Sequence, residues 1–441
     1  MTIPILNLTN QPAAAQTVGA LLDRLRAGGL VSAGEGARVD VQGTVHQIIA
    51  DVKARGDQAV IDLTAKIEKV TLTPDRMRVS AADIAAAHAK AEPAFLQLVR
   101  RVAANIREYQ QSILWKAPPA LKRGGRSLGV RYTPMDRVGV YVPGAKAAYP
   151  STVLMTIVPA MVAGVGEIAV VSTPTGGDVN PQVLAIAGEL GLREIYRVSG
   201  TAGIAALALG TKTICRVSKI VGPGNAFIAE AKRQVLGLVG IDSTAGPSEV
   251  LIIADDSAAP AWLAADLLAQ AEHNPGSAVL LTPSAALAQA VAAEVDEQLS
   301  ALSRRDAAAH ALREYSAIVV TADLSACCAL ANGFATEHLQ IITADNQAVL
   351  GRIRHAGAIF LGPHTPVPVG DYYAGPSHVL PTGGTARFFG PLSCNDFLKA
   401  SSVVEYDEAS LAADAADIID FATREGLTAH ANAVRIRQKK K

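Results

Sequence analysis

A chain of 441 residues is long enough to bury a large core and to form two or more globular units. Half of its residues are hydrophobic and 18% are charged, which excludes an intrinsically disordered chain. The 40 Lys and Arg residues balance the 40 Asp and Glu residues, so no basic surface field indicates nucleic-acid binding.

The N-terminal residues and the most apolar segment argue against export and membrane insertion. No charged region followed by a long apolar run opens the chain, so we expect no signal peptide. The run 153–166 is shorter than the roughly 18–20 residues that a membrane-spanning helix needs. The four cysteines include no C-x-x-C pair, which indicates a reducing compartment. We therefore expect a cytoplasmic protein that binds neither membranes nor nucleic acid.

The first third of the chain has helical periodicity. Apolar residues recur three and four positions apart over 44–68 and again over 81–113, where Pro93 interrupts the pattern. These segments predict helices that precede the first strand of a sheet.

Strands and helices then alternate in two series. The first series predicts strands at 138–142, 168–172, 194–198 and 219–221, with helices at 151–163, 181–190, 202–209 and 226–235. The second predicts strands at 250–254, 278–282, 317–320, 339–342 and 358–361, with helices at 261–272, 285–299, 324–334 and 348–354. Such alternation is typical of parallel βαβ units, and two series predict two sheets. A Gly- and Pro-rich segment to about residue 390 and a helical tail over 411–437 complete the chain.

Ligands of open α/β sheets bind beyond the carboxyl ends of the strands, so the segments after 142, 221, 254 and 361 are the candidate sites. The nearest match to a dinucleotide-binding G-x-G-x-x-G is Gly164-Val-Gly166. It follows a predicted helix and precedes a strand, the reverse of that fingerprint, so we interpret it as a helix end. Any NAD site must use another loop.

The segment Gly222-Pro-Gly224-Asn225 follows a predicted strand and opens a helix. Glycines there allow a ligand to approach the backbone, and the amides at a helix start favour anions. Asn225 either caps this helix or binds a ligand, and the sequence leaves both open.

Gln270 and His273 lie three residues apart at the end of a predicted helix and share a face. They either form a polar helix end or bind a metal, to which His364, Asp371, His378 and His430 could add ligands. Their wide spacing makes the metal signal weak, because zinc sites usually show closer Cys and His clustering.

Glu337 and His338 place an acid beside a base just before a strand. They are either solvated turn residues or two acid–base groups of one site. Ser248 precedes an apolar strand without a G-x-S-x-G elbow, which argues against a serine hydrolase.

Taken together, these segments resemble the histidinol dehydrogenase family, which oxidises L-histidinol to L-histidine with two NAD. The resemblance rests on ordered blocks at 137–155, 219–235, 241–255, 271–277, 337–339, 369–388, 392–399 and 425–430. It implies an α/β fold of two incomplete Rossmann-like domains with parallel sheets, N-terminal helices and a small helical C-terminal tail. The implied units are 1–135 with 250–388, then 136–249, and a tail at 389–441 that completes the partner's site in a homodimer.

The resemblance also implies the site residues. The implied zinc ligands are Gln270, His273, Asp371 and His430. The implied substrate contacts are these four residues together with Ser248, His338, His378 and Glu425. Tyr141 and Asn225 would contact NAD, as would position 202, where Ala202 replaces the family's glutamine.

The resemblance implies different proton tasks for Glu337 and His338. His338 would take the alcohol proton as hydride passes to NAD, and would act again in the second oxidation, for which a pKa near neutrality is suitable. Glu337 would activate the water that adds to the bound aldehyde, if burial raises its pKa. Zinc would mainly orient the substrate.

Two departures from the family pattern keep other functions open. Thr336 stands where the family has a proline, and Ala202 replaces the glutamine. A paralogue oxidising 2,3-dihydroxypropane-1-sulfonate to sulfolactate is one alternative, although Glu425 would repel a sulfonate and favours a cationic substrate. A non-catalytic, zinc-bound binding protein is another, and the presence of both Glu337 and His338 argues against it.

Overall fold

The computed structural model describes residues 2–26, 40–144, 149–244, 246–273 and 275–438, with the side chain of Pro12 left aside. Residues 439–441 of the expected tail lie outside the described residues. The strands are β1 (Ile5–Asn7), β2 (Leu121–Arg123), β3 (Arg126–Pro134), β4 (Arg137–Val142), β5 (Glu167–Ser172), β6 (Ile195–Arg197), β7 (Lys219–Val221), β8 (Gly240–Ile241), β9 (Ser248–Ala254), β10 (Gly276–Thr282), β11 (Ala317–Val320), β12 (His338–Ile342), β13 (Ala358–Leu361) and β14 (Leu398–Tyr406).

The helices cover both faces of the sheets. They are α1 (Pro12–Arg26), α2 (Val41–Arg55), α3 (Asp57–Glu68), α4 (Pro74–Met77), α5 (Ala81–Lys90), α6 (Pro93–Ile113), α7 (Pro150–Ala163), α8 (Pro181–Glu189), α9 (Gly200–Leu209), α10 (Ala226–Val235), α11 (Pro260–Ala271), α12 (Ala285–Leu299), α13 (Arg305–Tyr315), α14 (Leu324–Phe334), α15 (Asn346–Leu350), α16 (Val367–Val369), α17 (Glu408–Arg424) and α18 (Thr428–Arg435). A π-helical turn, Gly370–Ala374, follows α16. Among the described helices, none is long and apolar enough to cross a membrane.

Two parallel sheets and one antiparallel sheet result. The first sheet has the strand order β1-β11-β10-β9-β12-β13, and the second has the order β6-β5-β4-β7-β8. The antiparallel sheet has the order β14-β3-β2. The expected α/β class, with two parallel sheets, N-terminal helices and a helical tail, is confirmed, and the domain boundaries stay predictions.

The apolar runs of the strands explain why both parallel sheets are covered on two faces. In β9, Val250 and Ile252 pack on one side against α11, α12 and α13, whereas Leu251 and Ile253 pack on the other against α1 and α14. In the second sheet, Val140 packs towards α6 and α7, and the neighbouring Tyr141 packs towards α9. Successive side chains of a strand point to opposite faces of the sheet, so an unbroken apolar run packs into a hydrophobic core on each face.

The structure adds elements that the sequence patterns missed. The tail does not begin with a helix, because β14 pairs with the whole length of β3, from Leu398 opposite Pro134 to Tyr406 opposite Arg126. Arg126 also forms an ion pair with Asp414 of α17. These contacts attach the tail to the body of the same chain. The edge strand β1 and the helix α13 were missed as well.

Replacing Phe397 with Ala is expected to lower the free energy of unfolding by about 3–5 kcal/mol. Phe397 is completely buried in the core that α6 and α7 form on the second sheet, just before the tail strand. Urea unfolding measures the change, and Phe388→Ala is the control because that side chain is 73% exposed. The control should change stability by less than about 0.5 kcal/mol. Equal effects of the two substitutions would contradict the packing of Phe397.

Candidate active site

Glu337 and His338 lie at the amino end of one strand of the first sheet, next to the amino end of the neighbouring strand. Ser248 begins β9, and His338 begins β12, directly beside it. These residues lie at amino ends, whereas the segments that the sequence favours follow carboxyl ends. Tyr141 and the loop after β7 lie near the carboxyl ends of their strands in the second sheet.

The Glu337 carboxylate is buried, at 7% exposure, and held on one oxygen. Its Oε2 accepts two hydrogen bonds. One comes from the Ser248 hydroxyl, with an oxygen–oxygen distance of 2.6 Å, and the other from the Glu249 backbone N–H, with a nitrogen–oxygen distance of 2.9 Å. Burial raises the pKa of Glu337, although the neighbouring His338 and these two hydrogen bonds act in the opposite direction. A carboxylate of raised pKa is suited to accept a proton.

The His338 ring is also buried, and its two nitrogens have different surroundings. Nδ1 lies 2.9 Å from the Glu249 carbonyl oxygen, which can only accept, so the proton of this bond is on Nδ1. Nε2 is buried without a hydrogen-bond partner among the described residues and lies 3.5 Å from Asp371 Oδ1. Burial disfavours the charged ring, but the carboxylates of Glu337 and Asp371 outweigh it and raise the pKa of His338 to about 9. That value lies above the near-neutral one expected for a base.

Glu249 is the residue that joins the pair. Its N–H binds Glu337 and its carbonyl binds His338, so one residue of β9 orients both groups. Its own carboxylate accepts the Gly383 N–H at 2.7 Å and the Thr336 hydroxyl at 3.4 Å. Burial raises the pKa of Glu249 to about 7, with the nearby Glu337 charge adding to the effect.

Thr336, which replaces the family's proline, is therefore buried and hydrogen-bonded. Ala335 before it has a φ of 51°, in the left-handed region that residues other than glycine rarely adopt. Backbone strain of this kind is concentrated at functional sites. The chain reaches Glu337 and His338 through a sharp turn that ends α14.

Two of the four expected metal ligands, His273 and Asp371, lie near His338. Gln270 is buried at the end of α11 with its amide Nε2 unpaired, and His273 follows one turn later. Asp371 lies in the π-helical turn, a feature often found at functional sites. Burial lowers the pKa of His273, with Asp371 opposing the shift, which favours the neutral imidazole that metal binding requires.

These side chains fit a zinc ion chemically. An imidazole nitrogen, a carboxylate oxygen and an amide oxygen are donors that Zn²⁺ accepts. The nitrogen of the buried Gln270 amide has no hydrogen-bond partner among the described residues. The fourth expected ligand, His430, is exposed on α18, and Glu425 is exposed at the end of α17. Within the described residues, no three His, Cys, Asp or Glu side chains form a group that could hold a metal. The described residues of a single chain therefore do not bring the four expected zinc ligands together.

His378 connects the first sheet's site to the second sheet. Its Nδ1 lies 3.0 Å from the Asp371 carbonyl oxygen, and its Nε2 lies 3.3 Å from the hydroxyl of Thr152. Thr152 is in the first turn of α7, which follows the carboxyl end of β4. Burial lowers the pKa of His378. His378 therefore links Asp371 to the helix that follows β4 of the second sheet.

The expected NAD contacts differ in accessibility. Asn225 is exposed, and its Oδ1 accepts the N–H groups of Phe227 and Ile228, so the capping interpretation is confirmed. This leaves its NH₂ group for a ligand. Tyr141 is 5% exposed, with its hydroxyl 3.3 Å from Thr173 Oγ1, and Ala202 has no exposed surface.

Other expectations can be compared with the structure directly. Gly164 ends α7 in a left-handed conformation, which confirms the interpretation of that glycine motif as a helix end. Glu249 and Thr152 were missed by the sequence patterns. An acidic residue directly before the apolar run 250–254 was the available signal for Glu249, whereas Thr152 had none.

Comparison with known proteins gives one consistent result. The model of the family described as histidinol dehydrogenase matches residues 32–438. A histidinol dehydrogenase of Rhodopirellula baltica is 48% identical over 434 residues, which cover 96% of this chain and 94% of that relative. One from Bacillus subtilis is 48% identical over 400 residues, 90% of this chain and 93% of the relative. The crystal structure of a histidinol dehydrogenase from Elizabethkingia anophelis is 33% identical, with a TM-score of 0.90 over 99% of this chain and 98% of that one. The chain therefore belongs to the histidinol dehydrogenase family.

Proposed function

We propose that this protein is an NAD-dependent oxidoreductase that converts L-histidinol to L-histidine in two successive oxidations. The observation that carries the proposal is the buried pair of Glu337 and His338, both oriented by the backbone of Glu249. The names of the relatives support the same substrate. We place the activity in the cytoplasm, in keeping with four cysteines that are all free.

His338 acts as the base in both oxidations. Its Nδ1 proton is engaged by Glu249, which leaves Nε2 to remove the substrate's hydroxyl proton. The bound NAD would accept hydride in each oxidation. Between them, Glu337 removes a proton from the water that adds to the aldehyde. Holding Oε2 with two donors keeps the carboxylate fixed for this step.

Asp371 couples the metal site to the base. Its carboxylate is one of the charges that raise the pKa of His338 to about 9, a value at which the ring is mostly protonated at neutral pH. A cation held by Asp371 would offset that charge and would lower the pKa of His338 towards the range that a base needs. Zn²⁺ bound by Gln270, His273 and Asp371 would also orient the substrate's nitrogen atoms.

A second copy of the chain completes the site in this proposal. His430 and Glu425 are exposed on the tail of their own chain, and they would serve as zinc ligand and substrate contact in the site of the other copy. The tail also exposes large apolar side chains, with Val404 67%, Phe421 71% and Ile436 58% exposed. Apolar exposure on this scale is typical of a surface that another protein covers. A homodimer with shared active sites is the arrangement that we propose.

The substrate is tested by counting NADH. Purified protein with excess NAD should form two NADH per L-histidinol and none, or far less, from 2,3-dihydroxypropane-1-sulfonate. The relatives do not favour the sulfonate, which makes it the comparison substrate. A chelator should lower the rate with histidinol, and added Zn²⁺ should restore it. Absence of NADH with histidinol under all these conditions would overturn the proposed function.

A further inference from the structure

Lys232 and Asp242 form an ion pair in the interior of the second half of the molecule. Lys232 lies on α10, and Asp242 directly follows β8. Their side chains are only 2% and 4% exposed. Removing two charges from water is costly, and a buried pair of this kind is weak evidence for a gain in stability. The pair therefore raises the question of what else it does.

Both members of the pair bind the same backbone residue, Gly222. The ammonium of Lys232 donates to the Gly222 carbonyl oxygen at 3.0 Å, and Asp242 Oδ2 accepts the Gly222 N–H at 2.8 Å. Gly222 thus has its donor and its acceptor bound by opposite charges that also bind each other. Its position is determined from two sides at the point where β7 ends and the loop begins.

Gly222 has no freedom to shift without affecting the expected dinucleotide site. Its φ is 122°, and a Cβ atom there would lie 2.2 Å from the carbonyl oxygen of Tyr141. The backbone of the loop therefore packs directly on the backbone of Tyr141. At the other end of the loop, Asn225 caps α10, the helix that carries Lys232.

We propose that Lys232 and Asp242 are positioning residues for the dinucleotide site, acting through Gly222 without touching the ligand. The inference rests on the proposed function and on the NAD contacts expected for Tyr141 and for Asn225 at the end of the loop 222–225. The ion pair fixes the loop against Tyr141 before the dinucleotide arrives, so binding does not have to order it. A merely structural pair would contribute to folding and leave NAD affinity unchanged.

The test compares NAD affinity with stability in the full-length protein. Lys232→Met removes the donor to Gly222 and leaves Asp242 without its counter-charge, whereas Lys232→Met combined with Asp242→Asn leaves neither charge buried. Calorimetric titration with NAD should give a dissociation constant at least tenfold above wild type in both. The KM for histidinol should stay within twofold. Hydrogen exchange of the peptide covering 219–228 should be faster in both variants.

The double variant separates the two explanations. It should recover thermal stability relative to Lys232→Met, because no unpaired charge remains buried, yet keep the weakened NAD binding because Gly222 still lacks its donor. NAD affinity that recovers together with the melting temperature would overturn the proposal. The double variant also keeps the test decisive where Lys232→Met alone fails to fold.

Arg137→Met is the matched control. Arg137 is 12% exposed, pairs with Glu194 and Glu167, and begins β4, at the opposite end of the strand from the loop. It should lower stability and leave the NAD dissociation constant unchanged. Wild-type protein that binds no NAD would refute the proposed function itself. Wild-type protein that binds NAD while the Lys232 variants bind it equally well would refute only the positioning role.

Discussion

His338→Asn is expected to abolish NADH formation from both L-histidinol and the corresponding aldehyde, with each rate lowered by roughly 10²–10⁴-fold. The asparagine amide can still donate to the Glu249 carbonyl oxygen, as Nδ1 does now, so β12 keeps this side-chain contact with β9. What the variant lacks is the Nε2 atom, which is buried and without a hydrogen-bond partner among the described residues. Loss of both oxidations follows because both need the same base.

Single-turnover measurements with saturating NAD and substrate give these rates without interference from product release. His46→Asn is the control, because His46 is an exposed residue of α2. The control should behave like wild type in both oxidations. A His338→Asn rate within tenfold of wild type in either oxidation would refute the assignment of His338 as the base.

Glu337→Gln is expected to affect the two oxidations unequally. The glutamine Oε1 can accept the same Ser248 hydroxyl and Glu249 N–H that now bind the carboxylate, so the site keeps its shape. The amide cannot take a proton from water. Oxidation of the aldehyde should therefore fall by roughly 10²–10⁴-fold, and oxidation of the alcohol should fall much less.

Supplying the alcohol and the aldehyde separately resolves the two effects, with NADH formation followed in each case. Glu408→Gln, at the exposed first residue of α17, is the matched control and should leave both rates unchanged. Equal loss of the two oxidations in Glu337→Gln would contradict the division of labour between Glu337 and His338.

The parallel sheets could be predicted because their strands are buried on both faces. The sequence of a strand such as β9 is then an almost continuous apolar run. In the helices between such runs, apolar residues recur every three or four positions. The strand β14 could not be recognised in the same way. Most of its residues are exposed, and its partner β3 lies in the first third of the chain, so no local pattern records the pairing.

The site could be predicted as a set of residues and not as an arrangement. The resemblance to a family supplied Glu337 and His338, whereas their shared hydrogen bonds with Glu249 form only when β9 and β12 pair. Strand register of this kind is set by packing across the whole sheet. For the same reason, no local pattern indicates that Lys232 and Asp242 both bind Gly222.

The pairing of β3 with β14 also has a consequence for how the protein is made. About 270 residues separate the two strands along the chain, so translation at ~5–20 residues per second delivers β14 on the order of tens of seconds after β3. Until then β3 has an unpaired edge, a form that favours aggregation. A message truncated before residue 398 therefore yields a product that cannot complete this sheet.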